Sequence, residues 1–313
     1  MKVGFLGNMK DHTIEAVKSM GYDVVKITKD DLKSGIYDRD CDILCGSLLF
    51  SKIDLKEFSK VKYIFLFSQG VDYMLLDSIK ERGIVLTNNK GAYAEPIGEF
   101  IVLALLEMEK RVKLNLENQK NKKWAPRSFT GDLYNKKILF LGTGDISMEA
   151  AKRLQGFDME IVGYNTNGRD IEYFNYCVNE ENLKGELNEA DYVVMVLPST
   201  EKTKNFLDEE RFSLMKDGVK FINVARGDVI DEKALIKYLE NGKIKGAVLD
   251  VFEKEPLPED SPLWDMEEVY VTPHISGTSE DAEARYLKGA MENLKRLSEN
   301  KDLVNLVNLD KKY

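Results

Sequence analysis

The sequence of 313 residues has few cysteines and few histidines, and each shortage narrows the possible functions. Its three cysteines, Cys41, Cys45 and Cys177, form too small and odd a set for a disulfide framework, so we expect free thiols in a reducing compartment. Cys41 and Cys45 lack the second cysteine pair or nearby histidine that completes a zinc site, and we predict no metal. Acid–base chemistry by histidine can involve only His12 or His274.

The sequence also lacks an excess of basic charge and long apolar segments. Lys and Arg number 45 against 54 Asp and Glu, which gives a net charge of −9. An acidic surface repels phosphate backbones and anionic lipids, so we predict neither nucleic acid nor a membrane as a partner. The longest apolar run, around 100–106, falls well short of the ~20 residues of a membrane span. No secretory signal pattern is visible at Met1-Lys2, and we expect a cytoplasmic protein.

Short apolar strands alternate with helical segments in two blocks of the chain. Segments such as KVGFLG, KYIFLF, KILFLG and KFINVA have the composition of buried strands. Helical spacing is found at His12–Met20, Asp54–Ser59, Met74–Glu81, Pro96–Leu116 and Ser279–Asn300. This alternation predicts α/β architecture, with parallel sheets covered on both faces.

A glycine-rich turn lies between a predicted strand and a predicted helix in KILFLGTGDISMEAAKR. Gly142 permits a tight turn, Gly144 lets the backbone approach a pyrophosphate, and Ser147 is small enough for helix and strand to pack. The helix N-terminus favours phosphate groups. The Asp145 carboxylate would repel a pyrophosphate, so we expect it to cap the helix and point to solvent. We predict a dinucleotide site formed by Gly142, Thr143, Gly144, Asp145, Ile146 and Ser147.

The next strand ends without the acidic residue that commonly binds the adenosine ribose of NAD. Its end position is Asn165, followed by Thr166, Asn167 and Arg169. A neutral end removes the repulsion of a 2′-phosphate, and hydroxyl, amide and guanidinium groups can bind one. We therefore favour NADP(H) over NAD(H). The alternative is a polar turn with a surface arginine.

Three chemically versatile residues each follow a predicted strand of the second block. Arg226 follows KFINVA, Glu255 follows GAVLDV, and His274 follows VYVTP. Because ligands bind beyond the carboxyl ends of the strands in open α/β sheets, we expect these side chains to share a site. The alternative for His274 is a core histidine. His12, on an amphipathic helix, is predicted to be a surface residue.

These segments resemble the D-isomer-specific 2-hydroxyacid dehydrogenase family over nearly the whole chain. NVARGDVID, LDVFEKEPLP, DSPLW and TPHISG are similar to that family's motifs and occur in its order, and GTGDIS is similar to its dinucleotide turn. FSQGVDYM and TNNKGAYAEPIGEF resemble its substrate-loop and hinge segments. Ser147, Asp145 and Asn165 depart from the family pattern, and the last of them argues against plain NAD use.

The resemblance implies hydride transfer between a nicotinamide ring and C2 of a small 2-oxo or 2-hydroxy acid. Arg226 would bind the substrate carboxylate and the C2 oxygen, and His274 would exchange a proton with that oxygen. Glu255 would bond the other ring nitrogen and fix its tautomer. The backbone amides of Gln69 and Gly70 would hold the carboxylate.

The resemblance also implies further cofactor contacts. Asp250 would contact the nicotinamide carboxamide. Leu197 and Val224 would line the cofactor, but packing at the end of the sheet explains apolar residues at these two positions equally well. The predicted cofactor set in this region comprises Leu197, Pro198, Val224, Ala225, Arg226, Asp250, His274 and Gly277.

The domain layout follows from the same resemblance. It implies two Rossmann-like, doubly wound parallel-sheet domains, with a dinucleotide-binding domain over 96–279 inserted into a flavodoxin-like substrate domain over 1–95 and 280–313. Substrate would bind in the cleft between them. The helix that starts at Pro96 is the family's usual dimer element, so we expect a homodimer.

The expected activity is that of an NAD(P)-dependent 2-oxo acid reductase. One alternative is a dinucleotide-sensing, corepressor-like binding protein on the same fold, against which we count the absence of a partner-recruiting tail. A second is a relative with other chemistry, such as formate oxidation, against which the Arg–Glu–His set argues. Glyoxylate, hydroxypyruvate and branched 2-oxo acids all remain open as substrates.

Overall fold

The computed structural model describes residues 1–126, 130–279 and 282–310, and the chain forms two compact units. Unit 1 comprises Met1–Tyr93 and Ser279–Tyr313, and unit 2 comprises Ala94–Thr278. These bounds differ by one or two residues from those expected for the two domains, and the substrate and nucleotide roles of the units stay predictions. No helix within the described ranges has the length and apolar character to span a membrane.

Unit 1 contains a parallel sheet of five strands in the order β2-β1-β3-β4-β5. Its strands are short, all except the edge strand β2 are largely buried, and successive side chains enter different apolar clusters. Ile64 and Leu66 pack in one cluster and Phe65 in the other, so both sheet faces are covered, as the strand period of two requires. The elements up to residue 87 are β1 (Lys2–Leu6), α1 (Asp11–Ser19), β2 (Asp23–Ile27), α2 (Lys29–Ser34), β3 (Ile43–Gly46), β4 (Tyr63–Leu66), α3 (Leu76–Glu81) and β5 (Val85–Thr87).

Unit 2 contains a parallel sheet of seven strands in the order β12-β11-β10-β9-β6-β7-β8. From β6 the chain builds outward to β8, then returns to β9 and builds the other half. Open α/β sheets bind ligands beyond the strand carboxyl ends at such a reversal. The remaining elements are α4 (Ala94–Lys110), α5 (Val112–Lys120), β6 (Lys137–Leu141), α6 (Asp145–Leu154), β7 (Glu160–Tyr164), β8 (Tyr176–Val178), α7 (Glu180–Glu189), β9 (Tyr192–Met195), α8 (Glu209–Leu214), β10 (Val219–Asn223), α9 (Glu232–Glu240), β11 (Ile244–Leu249), β12 (Val269–Val271) and α10 (Ala282–Ser298), the last of which belongs to unit 1.

The predicted fold class, two doubly wound parallel sheets, is confirmed, but the single helix predicted over Pro96–Leu116 is wrong. The chain breaks at Arg111, whose φ of 50° is left-handed, and the break separates α4 from α5. Tyr270 explains it: its hydroxyl donates to the Glu107 carbonyl at 3.0 Å and accepts from the Lys113 N–H at 3.2 Å. A tyrosine from β12 thus takes the place of helical hydrogen bonds.

The helix predicted over Asp54–Ser59 is also wrong, because only a 3₁₀ turn forms, at Leu55–Glu57. Arg82 donates from Nη2 to the Phe58 carbonyl at 2.7 Å and from Nη1 to the Leu55 carbonyl. A longer helix would need the Leu55 oxygen for its own bonds. Of the last helix, predicted over Ser279–Asn300, Ser279 is not helical, Glu280 and Asp281 lie outside the described residues, and the helix is found at Ala282–Ser298.

Candidate active site

His274 and Glu255 form a hydrogen-bonded pair beyond the carboxyl ends of the neighbouring strands β12 and β11. The imidazole Nδ1 lies 2.8 Å from Glu255 Oε2, and Glu255 Oε1 accepts a bond of 3.1 Å from the Phe252 N–H. The side chains are 46% and 38% exposed, which excludes the alternative of a core histidine. Because an ionised carboxylate only accepts, Nδ1 donates to it, and Nε2 is the atom that can exchange a proton with a ligand.

The turn that carries His274 is held by Asp250, which is fully buried directly after β11. Its Oδ1 accepts from Thr272 Oγ1 at 2.6 Å and from the Ile275 N–H at 2.8 Å, and its Oδ2 accepts from the Ser276 N–H at 2.9 Å. His274 itself has a φ of 56°, a left-handed conformation that costs a non-glycine residue roughly 1 kcal/mol or more. The carboxylate therefore anchors a strained turn on both sides of the histidine, a role that the sequence did not predict.

Arg226 follows β10 on a loop that packs against the segment after β11. Buried Asn223 shapes this loop, because its Nδ2 donates to the Arg226 carbonyl and its Oδ1 accepts from the Ala225 N–H, both at 3.1 Å. The guanidinium Nη1 donates to the Ala225 carbonyl at 2.7 Å. Gly227 has to be glycine, since an added Cβ would lie 1.9 Å from the Phe252 carbonyl carbon.

Sequence reasoning missed Asn223 and Gly227. The available signal for Asn223 was a polar residue at the last position of an apolar strand, where a loop must be shaped. For Gly227 it was a glycine directly after a candidate catalytic arginine, which indicates close approach of two backbones.

The predicted phosphate turn follows β6 and leads into α6. Gly142 has a φ of 112°, and an added Cβ would lie 3.2 Å from the Val196 carbonyl oxygen, so glycine is required. Gly144 is exposed, and a Cβ there would meet nothing within 4 Å. Fully buried Ser147 donates from Oγ to the Gly142 carbonyl at 2.7 Å. This bond closes the turn and explains why a serine can occupy the third glycine position.

The predicted capping of this helix by Asp145 is wrong. The N-cap is Gly144, without a side-chain hydrogen bond, and Asp145 is the first helical residue. The helix starts there because the Met148 N–H already bonds to the Gly144 carbonyl at 3.0 Å. Within the described part of the chain, the amides of Thr143 and Gly144 donate to no backbone acceptor. These donors and the positive end of α6 fit the pyrophosphate of a dinucleotide.

Asn165 follows β7 and is buried, and its carboxamide is used within its own turn. Nδ2 donates to the Arg169 carbonyl at 2.9 Å, and Oδ1 accepts from the Arg169 N–H at 3.1 Å. Thr166, Asn167 and Arg169 are exposed, with Arg169 Nη1 donating to Asn167 Oδ1 at 3.2 Å. Asn165 thus shapes a turn that presents hydroxyl, amide and guanidinium groups at the end of β7.

The remaining predicted cofactor residues follow other strands of the same sheet. Leu197 and Pro198 come after β9, Val224 and Ala225 after β10, and Gly277 after the His274 turn. Ala225 lies in the apolar core and Leu197 packs against it, which accounts for both without a ligand. Contact of these residues with a cofactor stays a prediction.

Gln69 and Gly70, the predicted substrate residues, lie in unit 1 just beyond β4. Both are half-buried. The Gln69 carbonyl accepts from Asn88 Nδ2 at 2.8 Å, and the Gly70 carbonyl accepts from Ser68 Oγ at 2.9 Å. Protein groups therefore already bond to the carbonyls of Gln69 and Gly70, whereas the N–H groups of these two residues donate to no backbone acceptor in the described part of the chain.

One edge of the unit 2 sheet carries the glycine turn before α6, an imidazole–carboxylate pair and an arginine loop. The turn fits a dinucleotide, the pair can transfer a proton, and a guanidinium can bind an anion. No cluster of three or more His, Cys, Asp or Glu side chains that could hold a metal ion occurs in residues 1–126, 130–279 and 282–310. Together these features fit an enzyme that binds a dinucleotide and transfers a proton to or from a small anion.

Comparison with known proteins agrees with this class. Residues 102–276 match the family model described as D-isomer specific 2-hydroxyacid dehydrogenase, NAD binding domain. The chain is 35% identical over 276 residues to a glyoxylate reductase of Thermofilum pendens, covering 85% of this chain and 80% of that one. It is 35% identical over 250 residues to glyoxylate/hydroxypyruvate reductase B of Escherichia fergusonii, covering 77% and 76%.

Among solved structures, a D-isomer specific 2-hydroxyacid dehydrogenase from Xanthobacter autotrophicus Py2, in complex with NADPH and MES, superposes with a TM-score of 0.83. Its sequence identity is 26%, and the match covers 100% of this chain and 99% of that one. The chain belongs to the D-isomer specific 2-hydroxyacid dehydrogenase family. It is an NAD(P)-dependent oxidoreductase of 2-hydroxy and 2-oxo acids, and the predicted enzyme is favoured over the corepressor-like alternative.

Proposed function

We propose that this enzyme works as a reductase of small 2-oxo acids such as glyoxylate or hydroxypyruvate, with NADPH as the preferred reductant. The observation that carries the proposal is the 2.8 Å contact between His274 Nδ1 and Glu255 Oε2, at the sheet edge that also carries the Arg226 loop. The similarity to the glyoxylate reductase of Thermofilum pendens and to glyoxylate/hydroxypyruvate reductase B of Escherichia fergusonii supports this substrate class.

The protein's own groups have separate tasks in this proposal. A bound nicotinamide supplies a hydride to C2 of the acid. His274 donates a proton from Nε2 to the C2 oxygen, and Glu255 accepts a hydrogen bond from the Nδ1–H and thereby orients the ring. Arg226 binds the carboxylate and the C2 oxygen through its planar guanidinium. The amides of Gln69 and Gly70 bind the carboxylate.

The NADPH preference rests on the turn at the end of β7. It offers the exposed Thr166, Asn167 and Arg169 and has no carboxylate at position 165. Removing a charge-assisted bond to a phosphate costs about 1.5–3 kcal/mol, so Arg169→Ala should raise the KM for NADPH about tenfold or more and leave that for NADH unchanged. Equal effects on both cofactors, or a wild-type enzyme that prefers NADH, would contradict the proposed preference.

The assembly and location are proposed on separate grounds. Leu103 on α4, Leu116 on α5 and Trp124 are large apolar side chains that are 50%, 60% and 92% exposed. We infer a homodimer that covers these side chains. Light scattering during gel filtration tests this, and a monomer at micromolar concentration would contradict it. A cytoplasmic location is proposed because Cys41, Cys45 and Cys177 are all free thiols.

A substrate panel tests the main proposal. NADPH and NADH oxidation would be measured with glyoxylate, hydroxypyruvate and branched 2-oxo acids, beside a formate control in the oxidative direction. We expect turnover with at least one small 2-oxo acid and none with formate. Tight NADPH binding without turnover of any acid would favour the dinucleotide-sensing alternative.

A further inference from the structure

The loop after β4 in unit 1 separates its backbone donors from its acceptors. The carbonyls of residues 67–71 all accept hydrogen bonds from protein groups: Phe67 from Asn89 and Tyr93, Ser68 from Asn89, Gln69 from Asn88, Gly70 from Ser68, and Val71 from Met74. In the part of the chain that the structure describes, no protein acceptor meets the amides of Gln69, Gly70 and Val71. With the Ser68 N–H, which also donates to no backbone acceptor in the described chain, four consecutive N–H groups are left to bond to solvent or to a ligand.

The bonds to the carbonyls determine where these amides point. A trans peptide is planar, so the C=O of one residue and the N–H of the next point in opposite directions. The peptides of this loop are trans. Asn88 Nδ2, bound to the Gln69 carbonyl at 2.8 Å, therefore directs the Gly70 N–H away from itself. The Asn89 N–H, bound to the Ser68 carbonyl at 2.9 Å, directs the Gln69 N–H in the same way.

Ser68 has the corresponding role for the third amide. Its Oγ donates to the Gly70 carbonyl at 2.9 Å and thereby directs the Val71 N–H. Tyr73 Oη lies 2.6 Å from the same Oγ. The Ser68 hydroxyl hydrogen bonds to the Gly70 carbonyl, so the Tyr73 hydroxyl is the donor to Ser68 Oγ. The two hydrogen bonds then run in the same direction, from Tyr73 to Ser68 and from Ser68 to Gly70.

Asn89 anchors this arrangement to α10. Its Nδ2 donates to the carbonyls of Phe67, Arg285 and Tyr286 at 3.1, 2.8 and 3.1 Å, and its Oδ1 accepts from the Gly289 N–H at 3.1 Å. Because Asn89 is deeply buried and has four partners, it stabilises the fold of unit 1 as well as the loop. Its replacement would therefore change stability and substrate binding together. Asn88, which is half-buried, and Ser68 are the better test positions.

We propose that Asn88 and Ser68 are positioning residues for substrate binding, which hold the Gly70 and Val71 amides toward the carboxylate of the 2-oxo acid. The proposal rests on the proposed function and extends it in two ways. It adds the Val71 amide as a third donor, and it makes carboxylate affinity depend on two side chains that do not touch the substrate.

The test separates binding from turnover. Asn88→Leu removes the donor at nearly constant size, Asn88→Asp removes it with added charge, and Ser68→Ala removes the hydroxyl. Asn305→Asp is the matched control, because it adds the same charge next to Asn88. Asn305 Nδ2 donates to the Lys90 carbonyl at 3.3 Å, and the Asn305 carbonyl accepts from the Asn88 N–H at 3.1 Å. KM and kcat for glyoxylate would be measured with NADPH, and the Kd of oxamate, a non-reducible analogue, by calorimetry with NADP⁺ present.

We expect Asn88→Leu, Asn88→Asp and Ser68→Ala each to raise the KM and the oxamate Kd about tenfold. The kcat should change less than about threefold, since binding of substrate and of transition state weaken equally. Asn305→Asp should change neither. Wild-type values of both constants in Asn88→Leu and Ser68→Ala, even with lowered melting temperatures, would overturn the proposal, as would a wild-type protein that does not bind oxamate. If the protein binds oxamate through Asn88 but reduces no 2-oxo acid, the proposed function fails and this inference stands.

Discussion

Replacing Asp250 by asparagine tests how the His274 turn is held. The two side chains have the same shape, but the amide has one acceptor atom instead of two. If the retained oxygen keeps the bonds from Thr272 Oγ1 and the Ile275 N–H, the new NH₂ group faces the Ser276 N–H at 2.9 Å. Two donors then oppose each other in a site without solvent.

The magnitude follows from the bonds that change. Hydrogen bonds to a charged group contribute about 1.5–3 kcal/mol each, so we expect Asp250→Asn to lower the free energy of unfolding by about 2–3 kcal/mol. The strained His274 turn should relax. Because a displacement of about 1 Å can cost about 10² in rate, kcat should fall about 100-fold. Urea unfolding and steady-state NADPH oxidation measure the two effects.

The control is Asp208→Asn, which makes the same change at the N-cap of α8, where Asp208 Oδ1 accepts from the Arg211 N–H at 2.9 Å. It should leave both stability and kcat nearly unchanged, because asparagine caps a helix N-terminus about as well as aspartate. A stable Asp250→Asn enzyme with wild-type kcat would refute the anchoring role. A variant with intact kcat but a raised KM for cofactor would instead support the nicotinamide contact predicted from the sequence.

Two further predictions concern stability. Gly227→Ala should destabilise unit 2 by about 3 kcal/mol and lower kcat, because the added Cβ would overlap the Phe252 backbone. Gly185→Ala in α7 is the control and should be neutral or stabilising, because a Cβ there meets nothing within 4 Å. Equal melting temperatures of the two variants would contradict this prediction. Burial alone would raise the pKa of Asp191, but bonds from Lys216 and the Lys137 N–H outweigh it and lower the pKa below 3.8. That stabilisation is present above pH 3.8 and is lost as the pH falls through the lowered pKa. Asp191→Asn should therefore cost about 1 kcal/mol at pH 7 and progressively less as the pH falls below 3.8, and a cost that does not change with pH would contradict this.

Strands and reactive residues could be predicted because they are encoded locally. Apolar runs mark most strands of both sheets, which are three to six residues long, but the short strand β8 was not predicted. Arg226, Glu255 and His274 were recognisable because each follows such a run and the carboxyl ends of parallel strands share an edge. The pairing of His274 with Glu255 follows from that topology.

The features that the sequence did not predict depend on contacts between distant segments. The break at Arg111 needs the Tyr270 hydroxyl, which is 159 positions away in the chain. The clash that requires glycine at 227 involves the backbone of Phe252. Periodicity within one segment contains no information on which residue from another segment will replace a helical bond or approach a backbone.

The most direct test of the central claim is the turnover of His274→Asn. Asparagine tolerates the left-handed backbone at this position but cannot act as a proton donor at neutral pH. With the reactive 2-oxo acid found in the panel, we expect kcat to fall at least about 100-fold while the Kd for NADPH changes less than about threefold. A kcat close to that of the wild type would show that the imidazole does not transfer the proton.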